Sequence, residues 1–507
     1  MADSPDRRFR YDWLLITVLA AGVAMFAGWR HGYRSAQNEM IEPVAPTAEV
    51  RAQRSADREA QRKQIAESLP PAPEGHVALG TFFELSSRDP VVNADALRRV
   101  KDGWRPAYFP LLIETARFSR GEPRLVLMQA VSELAGQDFG GGFDAAWRWV
   151  WSQDLEPHPQ YGLFKAMLYA QIDPRFAAYF DDHTQDATIR LDEVRWGGVS
   201  RDGIPPLDRP AMIAADSPEA RYLDDDNVVF GIELNGDARA YPKRILAWHE
   251  MFKDTFGPAD DPLSINGVYC TLCGSMIVYH TVHEGVHHEL GTSGFLYRSN
   301  KLMYDHATES MWSTIIGEPV IGPLVGQGIK LEPLHVVTTT WGEWKKRHPD
   351  TTVLSLDTGH SRDYGEGVAY QRYFATDELM FTVPQIDTRL KNKAEVLALR
   401  FGGDGAVPTV IDAAFLSERP IYQGELGDVA YVVLTDPSGA NRVYRTQGQR
   451  FTATRGDQSV VDDDGRVWRI DEDGLTAGDG QTLGRLPAHR AFWFGWHAAH
   501  PDTVLIK

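Results

Sequence analysis

The chain has 507 residues, too many for one hydrophobic core, so roughly two to four domains are expected. A hydrophobic content of 43% with 11% aromatic residues excludes an intrinsically disordered chain. The net charge of −18 argues against a nucleic-acid partner, because phosphate binding needs clustered Lys and Arg.

Trp13 to Trp29 carries no charged residue and spans about 25 Å as a helix, close to a hydrocarbon core of ~30 Å. Trp13 and Trp29 bracket it, with Tyr11 and Tyr33 beyond, as interfacial anchors would. Arg7, Arg8 and Arg10 precede it. Residues 1–34 are therefore expected to be a cytoplasmic tip and a transmembrane signal anchor. The bulk of the chain would then lie on the extracytoplasmic (periplasmic) side of the cell membrane. The rival is a cleaved signal peptide, but Ala27-Gly28 runs straight into Trp29-Arg30, which makes a poor cleavage site.

Residues 35–75 form a polar stalk ended by Pro70, Pro71 and Pro73. Residues 76–187 show apolar positions at helical spacing in Ala94 to Lys101, Ala107 to Phe118, Arg124 to Leu134, Phe143 to Trp151 and Tyr161 to Gln171. This pattern predicts a helical, HEAT-like module, a surface open to a protein partner. Trp147, Trp149 and Trp151 read as core more readily than as a ligand site. Asp181-Asp182-His183 reads as a solvated helix end.

From residue 188 the texture turns to short β-rich runs punctuated by Gly, Pro and Asp. Val228 to Leu234, Ala238 to Tyr241, Met276 to Thr281 and Val286 to Leu290 are predicted strands. Asn235-Gly236 is a predicted hairpin turn. Helices are predicted over Arg244 to Phe252 and Thr339 to Arg347. The only two cysteines, Cys270 and Cys273, form one C-x-x-C. A pair at that spacing can ligate a soft metal, cycle as a disulfide or close a small loop. His280, His283, His287 and His288 flank Glu284-Gly285 and read as an exposed hairpin.

The C-terminal part repeats itself. Trp344 to Thr351 (WKKRHPDT) recurs as Trp496 to Thr503 (WHAAHPDT). Ala240-Tyr241-Pro242 is echoed by Ala406-Val407-Pro408, Cys270 to Gly274 by Thr435 to Gly439, and Tyr279-His280-Thr281 by Tyr444-Arg445-Thr446. Two β-rich repeats follow from this: 188–357, which carries the C-x-x-C, and 358–507, in which it is degenerate. The fold class is α+β. His348 and His500 stand in both copies and read as architectural. Cys270 and Cys273 align with Thr435 and Ser438, and His249 and Glu250 with Phe415 and Leu416. The joint loss of these four in the second copy groups them as one site.

That set predicts a metal centre in which the thiolates of Cys270 and Cys273, the imidazole of His249 and the carboxylate of Glu250 hold zinc, or copper if Met276 or Met303 joins. Glu250 would be a ligand or a general base. A thiol–disulfide redox site is one alternative, with His249 lowering a thiol pKa. A structural disulfide in a non-catalytic envelope scaffold is another. No phosphate-binding loop or dinucleotide fingerprint is present, so no nucleotide cofactor is expected. Whether the chain is an enzyme, and what its ligand is, stay open at this stage.

Ala238 to Pro242 (ARAYP), Trp248-His249-Glu250, Tyr269 to Gly274 (YCTLCG), Ser293 to Tyr297 (SGFLY), Asn300, Met303-Tyr304-Asp305 and Ser310 to Ser313 (SMWS) together resemble domain-of-unknown-function family 3179 over roughly residues 190–507. Thr271 stands where that family usually has Pro. The resemblance implies an envelope protein without an established activity. It also suggests Asp305, Asn300 and Trp312 as neighbours of the cysteines, with Asp305 a second candidate for catalysis.

Overall fold

The computed structural model describes residues 69–181, 186–258, 260–403, 405–456 and 458–507. The expected membrane anchor, almost all of the stalk, and Asp182 and His183 lie outside the described residues. Among the described residues, no helix is long and apolar enough to cross a membrane. The architecture is α+β, helical at first and rich in strands from Val194 onward. The described residues fall into two compact units that divide between Glu193 and Val194, with Ile321–Val325 belonging to the first.

The first unit is built from α1 (Leu79–Glu84), α2 (Pro90–Asp102), α3 (Phe109–Phe118), α4 (Glu122–Ala135), α5 (Phe143–Trp151) and α6 (Tyr161–Ala170). Each start and stop has a local cause. Pro90 occupies the first turn of α2, and the Asp89 carboxylate accepts from the Val91 amide at 2.9 Å. Gly136, at φ 65°, closes α4 in the left-handed region. Leu111, Leu112, Trp147 and Phe164 are fully buried, and Trp147 stacks on Trp151 at 5.7 Å. The tryptophans of α5 are thus core and packing residues. A Glu114–Lys165 ion pair at 3.0 Å lies within this core, both side chains fully buried.

The second unit contains two lobes. Lobe one has β1 (Val228–Leu234), β2 (Asp237–Pro242), α7 (Lys243–His249), β3 (Met251–Phe256), β4 (Leu263–Cys270), β5 (Ser275–His280), β6 (Leu290–Tyr297), β7 (Asn300–Asp305), β8 (Val337–Thr340), α8 (Trp341–Arg347) and β9 (Thr352–Leu354). Lobe two has β10 (Glu395–Leu399), β11 (Thr409–Asp412), α9 (Ala413–Ser417), β12 (Ile421–Leu426), β13 (Val429–Thr435), β14 (Asn441–Arg445), β15 (Ala488–Phe492), α10 (Trp493–Ala499) and β16 (Val504–Ile506).

The two lobes share a strand order. One sheet runs β8-β1-β2-β9 and the other β15-β10-β11-β16. In both, the first two neighbouring pairs are antiparallel and the last is parallel. A short helix, α7 or α9, then leads into an antiparallel meander, β3-β4-β5 or β12-β13-β14. The crossover helices α8 and α10 are pinned alike. The Trp344 indole N–H donates to Thr351 Oγ1 at 2.9 Å, and Thr351 donates to the Ala238 carbonyl at 2.9 Å. Trp496, Thr503 and the Pro408 carbonyl repeat this at 2.9 and 2.8 Å. His348 and His500 end these helices and pack at a tilt against Trp344 and Trp496, with ring centroids 4.1 and 4.4 Å apart. Thr351→Val and Thr503→Val should each lower stability by about 1–3 kcal/mol, because each leaves a buried indole N–H and carbonyl unpaired. Urea denaturation measures both, and a cost near zero at either site would show that its hydroxyl does not hold the helix.

The geometry shifts the sequence register. Pro408 stands where Ala238 does, so Ala240-Tyr241-Pro242 matches Val410-Ile411-Asp412 and not Ala406-Val407-Pro408. The predicted helix over Arg244 to Phe252 stops at His249. Glu250 turns into the left-handed region at φ 57°, and β3 begins at once. The predicted strand over Val286 to Leu290 is two pieces. Val286–His287 closes the small hairpin over Glu284-Gly285, and β6 starts at Leu290. His288, between them, is buried and not part of the exposed hairpin.

Candidate functional site

The cysteine turn joins β4 to β5, where Tyr269 pairs with Met276 and Cys270 with Ser275. Cys270 and Cys273 are joined as a disulfide with their Cα atoms 5.2 Å apart. Their residues are 3% and 0% exposed. Leu296, Tyr373, Val383 and, from lobe two, Phe492 and Phe494 pack around them. The Phe492 amide donates to the Cys273 carbonyl at 2.7 Å, and the Tyr373 hydroxyl to the Leu272 carbonyl at 2.7 Å. Gly495 lets α10 approach closely. A Cβ there would lie 3.1 Å from Cys273 Cβ and 3.5 Å from Asn300 Oδ1. Asn300 is held by donating to the Gly495 carbonyl at 2.8 Å. Its Oδ1, with the hydroxyls of Thr271 and Ser275, is buried without a hydrogen-bond partner.

Glu250 lies beside this turn. Its carbonyl accepts from the Tyr269 amide at 2.9 Å. Its carboxylate pairs with Lys301 of β7 at 2.9 Å and accepts from the Tyr370 hydroxyl at 3.4 Å. Side-chain exposures of 7% for Lys301 and 11% for Glu250 place this ion pair inside the lobe.

His249 is directed elsewhere. Its Nδ1 lies 2.9 Å from the Pro205 carbonyl, which can only accept, so Nδ1 carries the proton. Nε2 then accepts from the Tyr364 hydroxyl at 2.6 Å, and Thr358 supports Tyr364 at 2.6 Å. Burial pushes the His249 pKa down to about 4. His360 and Arg362 add to the fall, and the Pro205 bond opposes it. The imidazole is therefore neutral at pH 7, with its lone pair engaged by the phenol.

Asp305 is also elsewhere. It sits at the far end of β7 from Asn300, about 17 Å along an extended strand. One carboxylate oxygen accepts from the amides of Ala307 and Thr308 and from the Thr308 hydroxyl at 2.8–3.0 Å. The other lies 3.1 Å from His288 Nδ1, and His288 packs on Trp312 at 5.0 Å. Asp305 thus builds a turn and Trp312 packs beside it from the neighbouring strand Met311–Ser313, while Asn300 alone of the three joins the cysteines.

The four residues expected to hold zinc or copper are not gathered as a donor set. Cys270 and Cys273 are bonded to each other, Tyr364 and Pro205 engage both ring nitrogens of His249, and Lys301 engages Glu250. Among the described residues, no three His, Cys, Asp or Glu side chains are grouped to hold a metal ion. The matched loss in lobe two also changes register. The Thr435 amide donates to the Pro420 carbonyl at 2.9 Å, as Tyr269 does to Glu250. His249, Glu250 and Cys270 therefore match Arg419, Pro420 and Asp436. The lobe-two turn is one residue shorter, since Thr435 pairs with Asn441 where Tyr269 pairs with Met276. None of the four is kept under either register.

The sequence reading missed Lys301, Tyr364, Tyr370 and Tyr373. The segment from Thr358 to Phe374 lies over α7 of lobe one. The Trp248 indole donates to the Asp363 carbonyl, and Arg244 pairs with Glu366 at 2.9 Å. The dense run of tyrosines there, and a lysine within an otherwise inward strand, were the signals available.

No curated protein and no solved structure matches the chain. A family model described as protein of unknown function (DUF3179) matches residues 201–503, more than half of the sequence, spanning both lobes and leaving out the helices α1 to α6. The chain belongs to this DUF3179 family.

Proposed function

We propose that this chain is a membrane-anchored, extracytoplasmic binding protein whose paired β lobes form a non-catalytic scaffold fastened by a structural disulfide. The burial of both sulfurs beneath lobe two carries this reading. A redox centre needs an accessible sulfur beside a free base, and here the Glu250 carboxylate is held by Lys301 and the His249 imidazole by Tyr364. The shared strand order and the matched Trp–Thr–carbonyl contacts support descent of the lobes from one duplicated unit. The apolar Trp13 to Trp29 run supports the anchor, and the helical unit offers a HEAT-like surface for a protein partner.

Replacing both cysteines, Cys270→Ser with Cys273→Ser, should cost roughly 2 kcal/mol, the chain-entropy value for so short a loop. The native protein should show no free thiol, no bound metal, and no reduction by dithiothreitol until denaturant is added. Near-stoichiometric metal lost in the double variant would replace this reading with the metal centre. Ready reduction of the native fold would replace it with the redox site.

A further inference from the structure

A cleft of about 400 Å³, lined by lobe two and by Arg347 of α8, lies beside the turn Asp436 to Gly439, the counterpart of the cysteine turn. We propose that this cleft binds a small organic monocarboxylate with an apolar body. The proposal rests on the reading of the chain as a binding protein but not on the disulfide, so the two fail separately.

Arg442 lines the cleft and is 1% exposed. Its Nε donates to Glu472 at 2.8 Å and its Nη1 to Asp436 at 2.9 Å. Its Nη2 is buried and has no partner. A buried guanidinium edge left unpaired is costly, and a carboxylate satisfies it with a charge-assisted bond. The carboxylate of the lining, Asp436, is already engaged. Asp436 Oδ1 takes the Ser438 amide, the Ser438 hydroxyl and the Ala440 amide at 2.6–3.2 Å. Thr435 Oγ1 accepts from Asn441 Nδ2 at 3.0 Å, which leaves its hydroxyl proton to donate. The cleft therefore offers donors and calls for an acceptor.

The charge is set by the same network. Asp436 and Glu472 are already matched by Arg442 and by Arg485, whose Nη1 lies 3.0 Å from Glu472; Arg347 of α8, which also lines the cleft, lies 3.9 Å from Asp436 and is itself paired with Glu343 at 3.1 Å, and His348 Nε2 lies 3.6 Å from Glu472. One added negative charge finds the unpaired edge of Arg442, whereas a second would meet Asp436 and Glu472, both already paired with that guanidinium. Leu434, Ile470 and Pro420 supply an apolar wall for the rest of the ligand.

Benzoate is the probe, titrated calorimetrically into the full-length protein beside benzamide and inorganic phosphate. Saturable binding of one benzoate, with a Kd of ~1 mM or tighter, is expected. Benzamide and phosphate should bind at least about tenfold more weakly. Arg442→Lys should lose binding, but it disturbs a buried ion network. Thr454→Trp is therefore the second variant. Thr454 lines the mouth of the cleft and is exposed, so an indole there blocks entry without touching the core. Loss of benzoate binding in Thr454→Trp at unchanged melting temperature supports the site. Absence of saturable binding by the parent chain, equal binding of benzamide or phosphate, or undiminished binding in Thr454→Trp overturns it.

Discussion

Replacing Lys301 by methionine should lower the free energy of unfolding by about 3–5 kcal/mol, because it strands the Glu250 carboxylate inside lobe one. The ammonium lies 2.9 Å from that carboxylate, and both side chains are nearly excluded from solvent. Met preserves the apolar stem of the lysine, so the loss reports on charge and not on packing. Combining Lys301→Met with Glu250→Gln should restore most of the stability, since the amide can still accept from Tyr370 while carrying no charge to strand. Urea unfolding of the two single variants and the double variant gives the coupling directly. A cost below about 1 kcal/mol for Lys301→Met would mean that water screens the pair as at a surface.

The second large effect is acid destabilisation beginning well above the carboxylate range. Burial holds the pKa of His249 and of His500 down to about 4, from an ordinary value of 6.5. Burial likewise pushes that of His489 well below 6.5, and Arg400 and His500 add to the fall. Each imidazole is neutral in the fold, with a folded pKa below the unfolded one. As the pH falls through 6.5 the unfolded chain takes up protons first, so stability is full above 6.5 and is lost towards pH 4. Each such group adds a slope of up to about 1.4 kcal/mol per pH unit, so His249 and His500 together should remove roughly 3–6 kcal/mol over that window, and His489 adds to the loss. His489 offers the control. It is 3% exposed, neither ring nitrogen has a partner, and it packs on Trp496 at 5.9 Å. His489→Phe should flatten the profile and cost little at pH 7. Stability that does not change between pH 6.5 and 4.5 would show that these rings already reach solvent or a partner.

What the sequence disclosed follows from the range of the forces involved. Phe143 to Trp151 is a helix over the predicted residues, because its apolar spacing and the preceding glycines are local signals. The Asn235-Gly236 turn is equally local, with both residues at positive φ. The W-x-x-x-H-P-D-T echo marked the ends of both crossover helices, of which only the first was predicted as a helix, since each repeats one compact set of contacts. Partnership across the fold was not legible in this way. Nothing near His249 announces Tyr364, which reaches it from 115 residues away, and nothing near Cys273 announces Phe492. Grouping His249 with the cysteines rested on their joint loss in the second repeat, which does not require that they face one another. The left-handed turn at Glu250 instead leaves the glutamate by the disulfide and the histidine on the other side of the helix end.

The bond from Phe492 to Cys273 carries a consequence for the order of events during biosynthesis. Domains fold as they emerge, N-terminal part first, so lobe one can close its meander long before residue 492 has been made. Until then the cysteine turn lacks its cover of Phe492, Phe494 and α10 and stands open to whatever oxidant the compartment supplies. Once lobe two docks, the sulfurs are sealed. The bond is therefore expected to form most readily before lobe two docks, and a chain that docks unoxidised would carry two thiols locked beneath its second lobe.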